Sequence, residues 1–252
     1  MQTATSSAPT ATDIESIIAR QVAALDANQL RQTYYAQDEF LILENFLPRE
    51  IMSLWDVQLE ALKPHLHRSF IPKHKKGGSV AYDTLCELAP AMNAVYQSKA
   101  LLGLLKKITD ADMKECPDSD LHRCALYAYT EEGDHIGWHY DTSYYKDRRW
   151  TLLVGFQDNS SARLVCKLHT KNPGHEQVDL SLKVAPGTLV LFNGDKVYHA
   201  VTPTKANEER FMVSMQYVTS GDMNPFMRFV SNMKDSIAYF GLKQVFFGGK
   251  KK

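Results

Sequence analysis

His139 and Asp141 stand two residues apart in the stretch YTEEGDHIGWHYD (129–141). On a β-strand, positions i and i+2 point to the same face, so this imidazole and carboxylate can converge on one cation. A lone His-x-Asp pair is common by chance, and it gains weight only from what accompanies it. His199 lies in PGTLVLFNGDKVYHAVTP (186–203), which reads as a strand, a turn around Asn193-Gly194-Asp195, and a second strand carrying the histidine. On its own, His199 has a plain alternative as a buried ring satisfied by hydrogen bonds. Arg210 follows eleven residues later and opens the apolar strand FMVSMQYV. A buried guanidinium needs a partner, because an unpaired buried charge costs several kcal/mol. Either Glu208 or Glu209 supplies it, or a bound dicarboxylate does so through two parallel N–H···O bonds. Together, two imidazoles and one carboxylate on one face of a non-haem iron leave three positions open for oxygen and a chelating co-substrate.

The elements that must position these residues fall into two halves. Residues 1–11 are rich in Ser, Thr, Ala and Pro and read as a disordered tail. Thr12 and Glu15 have capping-box spacing, and Ile14, Ile17, Ile18, Val22 and Leu25 follow at helical intervals. FLILENFLP (40–48) reads as a short strand ending near Pro48, and Ile51, Leu54, Trp55, Leu59 and Leu62 as an amphipathic helix. Residues 65–82 are basic, contain glycines and lack periodicity, so they read as a loop; a third helix is expected around 91–108. From about residue 122, seven β-prone runs follow one another: CALYAYT, WTLLVGFQ, RLVCKLH, QVDLSLKV, GTLVLFN, KVYHAV and RFMVSMQYV. Helices first and closely spaced strands after them predict an α+β chain. Its expected organisation is one domain over 12–247: a helical part (12–121), a strand core (about 122–218) and a C-terminal helix (about 222–247). A flexible basic tail (248–252) ends it.

The chain has 252 residues, 44% hydrophobic and 23% charged, which is enough to bury a sizeable core. Its 29 basic residues balance 29 acidic ones, which gives no support to a nucleic-acid or anionic-membrane partner. Cys86, Cys116, Cys124 and Cys166 contain no Cys-x-x-Cys pair, so reduced thiols in a cytoplasmic protein are expected. The N-terminus has neither the basic nor the apolar region of a secretory signal, and no apolar run reaches the length of a membrane span. A helical His-Glu-x-x-His is also absent, which argues against a zinc hydrolase.

Residues from about 122 to 218 resemble the catalytic core of the 2-oxoglutarate/Fe(II) dioxygenase superfamily, in particular its prolyl-4-hydroxylase-like branch. YTEEGDHIGWHYD, VAPGTLVLFNGDKVYHAVTP (184–203) and Glu209-Arg210-Phe211 carry the resemblance. It implies a double-stranded β-helix, a cupin-like jelly roll, with helices packed on it. It further implies Fe(II) held by His139, Asp141 and His199, and 2-oxoglutarate bound through its distal carboxylate by Arg210. Tyr129, ten residues before His139, falls where such enzymes often place a tyrosine near the co-substrate. Consumption of O2 and 2-oxoglutarate, with release of succinate and CO2, follows from the same resemblance. Two positions depart from the pattern. Asn159–Leu164 replaces the Gly-Gly-x-Leu turn of many relatives. Phe156 stands where some relatives carry a co-substrate-binding tyrosine, which leaves Thr151 as a candidate for that hydroxyl. Halogenating members lack the ligand carboxylate, so Asp141 points to hydroxylation or another oxidation without halide.

Trp138, Ser143, Tyr144 and Trp150 are the candidates for the substrate side, with core packing as the alternative for both tryptophans. Arg123 and Arg163 are either anion ligands or ordinary paired and solvated arginines. The run Lys73–Gly78 is either a lid or a solvated turn. The aromatic C-terminal stretch, with Tyr239, Phe240, Phe246 and Phe247, could pack on the enzyme, on a membrane or in a homodimer. By family analogy the expected substrate is a small molecule, an amino acid or natural-product intermediate. The alternatives are hydroxylation of a protein residue and a non-catalytic jelly-roll binding or regulatory protein.

Overall fold

The strand periodicity decides the architecture, and each of the seven runs after residue 122 is a strand. The computed structural model of the protein describes residues 10–141 and 143–224, together with Phe226, Met227, Val230, Met233 and Tyr239. In chain order these residues form helices α1 (Ala11–Ala23) and α2 (Ala27–Ala36), strand β1 (Phe40–Leu43), helix α3 (Arg49–Leu62) and a 3-10 turn (Lys63–His65). Strands β2 (His67–Ile71) and β3 (Lys75–Val80) and helices α4 (Tyr82–Leu88), α5 (Pro90–Tyr96) and α6 (Lys99–Thr109) follow. The remaining strands are β4 (Lys114–Glu115), β5 (Cys124–Tyr129), β6 (His135–His139), β7 (Arg149–Asp158), β8 (Leu164–Leu168), β9 (Val178–Leu182), β10 (Leu189–Asn193), β11 (Tyr198–Val201) and β12 (Arg210–Val218).

All pairings are antiparallel, in the order β1-β10-β7-β12-β5-β3-β6-β11-β8-β9, with β2 added to β3 and β4 to β12. Strand β3 is the fold line: Gly78–Val80 pairs with β5, and Lys75–Lys76 pairs with β6. The sheet curls there, and residues of β5, β7 and β12 share one cavity with residues of β6, β8 and β11. This is the jelly roll expected, with the helices on its outer face.

Strand β12 shows how alternation builds two cores. Phe211, Val213, Met215 and Tyr217 face outward, where they join Trp55, Leu59 and Ile14 of the helices and Leu152, Val154 and Phe156 of β7. Arg210, Met212, Ser214 and Gln216 face inward and line the cavity. An inner apolar cluster of Phe40, Tyr129, Ile136, Leu164, Val190, Phe192 and Val201 fills the rest of the roll. Both faces of β12 are therefore buried, as in a sheet covered on both sides.

Several expectations for the first half need correction. The cap of α1 is Thr10 with Asp13, two residues before the Thr12–Glu15 pair, and both capping-box bonds form there. Helix α2 has no periodic apolar stripe and buries only Tyr34, so the search for apolar spacing misses it; Asp26 caps it through Asn28 and Gln29. The helix expected at 91–108 is two helices, because Ser98 starts α6 by accepting from the Leu101 N–H. Residues 65–82 are not a loop: β2 and β3 form a hairpin in full register from His67↔Ser79 to Ile71↔Lys75. Strand β3 is buried on both faces, so no period of two marks it. The candidate lid Lys73–Gly78 is thus mostly a strand inside the sheet. The C-terminal helix, the basic tail and the aromatic dimer surface lie outside the described residues, Tyr239 and four others excepted, as does the N-terminal tail up to residue 9. No described helix is long and apolar enough to cross a membrane.

Candidate active site

Strands β6 and β11 pair antiparallel and set His139 and His199 directly opposite one another. Their ring centroids are 4.3 Å apart. His139 donates its Nδ1–H to the Gly137 carbonyl at 2.8 Å, and His199 donates its own to the Val197 carbonyl at 3.1 Å. Each bond holds the ring through Nδ1 and turns Nε2 towards the shared centre. Burial pushes the pKa of His199 down, against the pull of Asp141, which keeps the ring in its neutral, ligating form.

Asp141 reaches the same point by a route other than strand alternation. Strand β6 ends at His139, and Asp141 lies just beyond it, anchored by its N–H to the Gly194 carbonyl at 3.0 Å. Its Oδ1 lies 3.4 Å from His139 Nε2 and 3.8 Å from His199 Nε2. The neighbouring His199 and His139, with the Thr151 hydroxyl, hold this carboxyl well below the usual carboxylate range despite its desolvation. Among the described residues, His139, Asp141 and His199 are the only group of three or more His, Cys, Asp and Glu whose ligand atoms all lie within 4.8 Å of one another. Two imidazole nitrogens and one carboxylate oxygen suit a borderline divalent cation such as Fe(II).

The turn Asn193-Gly194-Asp195 has a specific steric task. A Cβ on residue 194 would overlap Cβ of Asp141. Gly194→Ala is therefore expected to displace the carboxylate and weaken divalent-metal binding about tenfold or more, while the strands stay paired. Metal titration beside far-ultraviolet circular dichroism checks this, and native metal affinity in the variant would contradict it.

Arg210 and Tyr129 are cross-strand partners on β12 and β5, and both line the cavity that contains the triad. The arginine is 1% exposed, yet its Nε and Nη1 have no hydrogen-bond partner. Asp158 Oδ2 lies 3.5 Å from Nε without a hydrogen bond, and Nη2 meets only the sulfur of Met212 at 3.0 Å. Neither Glu208 nor Glu209 forms the salt bridge weighed from the sequence; Asp158 stands nearest instead. A buried guanidinium in the cavity wall, with no hydrogen bond on Nε or Nη1 and only a 3.5 Å ion pair to Asp158, fits a carboxylate ligand. Burial raises the Tyr129 pKa to about 12, so its hydroxyl stays protonated and can donate to the same carboxylate.

The other sequence candidates fall elsewhere. Trp150 is a correction: it is fully buried in the outer core, donates its indole N–H to the Tyr34 hydroxyl at 3.0 Å, and does not line the cavity. Trp138 is 42% exposed and stacks on Tyr198 outside the roll, because it alternates with His139. Ser143 serves its own turn by accepting from the Tyr145 N–H, and Tyr144 is absent from the cavity wall. Phe156 faces the helices and packs edge-on against Trp55. Thr151 lines the cavity, but its hydroxyl donates to Asp141 Oδ2 at 2.6 Å. Arg123 is ion-paired with Asp118 and Glu115, and Arg163 is exposed. Lining residues missed from sequence include Tyr127, Leu153, Leu164, Ser214, Gln216 and Tyr239. Counting by twos from Tyr129 and Arg210 could have found Tyr127, Ser214 and Gln216. Nothing local marks Tyr239, whose ring lies 3.4 Å from the Lys75 ammonium.

A jelly roll enclosing a His-Asp-His cluster and a buried arginine defines a class of metal-dependent oxygenases. Residues 124–217 match the 2OG-Fe(II) oxygenase superfamily, and residues 22–146 match the family described as Halogenase D. Over those strand-core residues the chain carries a 2-oxoglutarate/Fe(II) oxygenase domain. It is a 2-oxoglutarate-dependent dioxygenase, and its cofactor and co-substrates are Fe(II), 2-oxoglutarate and O2. No curated protein matches the chain in sequence. A prolyl hydroxylase from Trichoplax adhaerens, solved with a hypoxia inducible factor peptide fragment, is 14% identical with a TM-score of 0.63, covering 84% of this chain and 94% of its own. The epimerase SnoN from nogalamycin biosynthesis is 12% identical with a TM-score of 0.62, covering 76% and 80%. A Pseudomonas putida prolyl-4-hydroxylase is 15% identical with a TM-score of 0.57, covering 77% and 98%.

Proposed function

We propose that His139, Asp141 and His199 hold the iron, and that Arg210 and Tyr129 bind the distal carboxylate of 2-oxoglutarate. The enzyme then hydroxylates a small-molecule metabolite, an amino acid or natural-product intermediate. One observation carries this reading: the metal-ligating cluster shares a cavity with a buried arginine that has two unbonded nitrogens. Iron held by His139, Asp141 and His199 would supply, with O2 and 2-oxoglutarate, the oxidising power, with succinate and CO2 as by-products. The residues of the chain do the positioning. Arg210 fixes one end of the co-substrate, Tyr129 donates to it, and the apolar wall of Ile136, Leu153, Leu164, Val201 and Met212 excludes water.

The substrate preference rests on the shape of the site. The cavity within the roll is about 60 Å³, with Tyr239 in its wall, and this small volume favours a small molecule over an extended peptide. Similarity to a natural-product enzyme agrees with this. Similarity to prolyl hydroxylases supports the second reading, oxidation of a protein residue. Halogenation, suggested by the Halogenase D match, is disfavoured because Asp141 occupies the position a halide would need.

Anaerobic titration of the Fe(II)-loaded protein with 2-oxoglutarate is expected to give a saturable visible charge-transfer band that is absent in Asp141→Ala. Succinate release would then rank metabolites against prolyl peptides. Absence of the band, with iron verified as bound, would remove the assignment of this cavity as the co-substrate site.

A further inference from the structure

The Asp141 carboxylate is shared between two tasks. Oδ1 faces the two histidine Nε2 atoms, whereas Oδ2 turns away and accepts the Thr151 hydroxyl at 2.6 Å. Thr151 sits on β7 opposite Gln216 on β12, and its Oγ1 lies 3.1 Å from Gln216 Oε1. That amide is itself fixed: Oε1 accepts from Arg149 Nε at 3.0 Å, and Nε2 donates to Ser214 Oγ at 3.1 Å. Arg149 is two residues before Thr151 on the same strand, and its charge is drawn towards both Asp120 and Asp141. A threonine has one hydroxyl proton, and the shorter contact, to a carboxylate, is the charge-assisted one.

We propose that Thr151 is the positioning residue of the metal centre: it ties up Oδ2, so that Asp141 presents only Oδ1 to the cation. The pairing of β7 with β12 holds the threonine in place, with the Gln216 amide fixed beside it by Arg149 and Ser214. The consequence is chemical. A carboxylate free to rotate can chelate through both oxygens and use up a coordination position that O2 or the co-substrate requires; one pinned at Oδ2 leaves it open. The Thr151–Asp141 bond crosses the roll from β7 to the residue just past β6, two strands that are not neighbours in the sheet, and Thr151 is buried, which is where an outer partner can orient a ligand accurately. This proposal rests on the reading of His139, Asp141 and His199 as metal ligands.

The test is titration of the metal-free protein with Co(II), reading both affinity and the visible ligand-field spectrum, on native protein, Thr151→Val, Thr151→Ser, Thr151→Ala and Asp141→Ala. Thr151→Val is expected to weaken Co(II) binding roughly 10- to 100-fold and to change the spectrum, in line with loss of an outer-shell partner. Thr151→Ser is expected to restore both. The Ser and Ala variants differ by one oxygen, so their comparison isolates the hydroxyl even if valine disturbs folding. Native affinity and spectrum in Thr151→Val, or equal defects in Ser and Ala, would overturn the proposal. If Asp141→Ala still loses the metal, only the role of Thr151 has failed; if it binds Co(II) as the native protein does, the ligand assignment itself has failed.

Discussion

Replacing His199 by alanine is expected to leave a folded protein that no longer retains iron and no longer turns over 2-oxoglutarate. The imidazole is 6% exposed, pinned by Val197 through Nδ1, and its Nε2 is one of three ligand atoms that converge. Losing an outer-shell partner costs roughly 10- to 100-fold in metal affinity, and losing a ligand itself costs at least the upper end of that range. The fold should survive, because β11 is held on both sides by backbone pairing with β6 and β8. The truncation removes one ring from the edge of the inner core, and its thermal cost is that of a modest cavity. Iron stoichiometry after desalting, read beside the melting temperature, separates the two effects. A variant that keeps its iron would exclude His199 as a ligand, whatever its activity.

The difference between what was legible in the sequence and what was not follows from periodicity. His139 and His199 sit on strands with clear alternation, and the spacing of Arg210 from His199 follows from the next strand of the roll. Asp141 was found for a partly wrong reason: it lies past the end of β6, and the Gly194 turn brings it to the histidines. Trp150 was misplaced because both faces of β7 carry apolar residues, so its alternation cannot say which face is the cavity. The same loss of contrast hid β3, buried on both sides. Helix α2 was missed for the opposite reason, since a helix that buries a single tyrosine carries almost no stripe. The pairing of Thr151 with Gln216 is a cross-strand relation between positions 65 residues apart, and only the sheet register reveals it. Tyr239 reaches the cavity from still further along the chain.

Arg210→Ala should separate co-substrate binding from metal binding. The guanidinium belongs to the cavity wall, not to the cluster of ligand atoms, so iron content is expected to stay native. Hydrogen bonds to charged groups contribute about 1.5–3 kcal/mol, which converts to a rise of roughly 10- to 150-fold in the 2-oxoglutarate concentration needed for half-saturation. Stability is a competing consideration, because the arginine is buried beside Asp158. That carboxylate, however, keeps a cation of its own: Lys183 Nζ lies 2.6 Å from Oδ1. Removing Arg210 also relieves the burial of an incompletely bonded charge, whose desolvation already pulls its pKa down. The folded protein should therefore tolerate the change better than the binding site does. Arg210→Lys supplies a point charge without the two-pronged geometry and is expected to fall between the native protein and the alanine variant. Titrating the charge-transfer band with 2-oxoglutarate at saturating iron measures this directly. An unaltered 2-oxoglutarate affinity in Arg210→Ala would show that Arg210 pairs structurally with Asp158 and that another group holds the distal carboxylate.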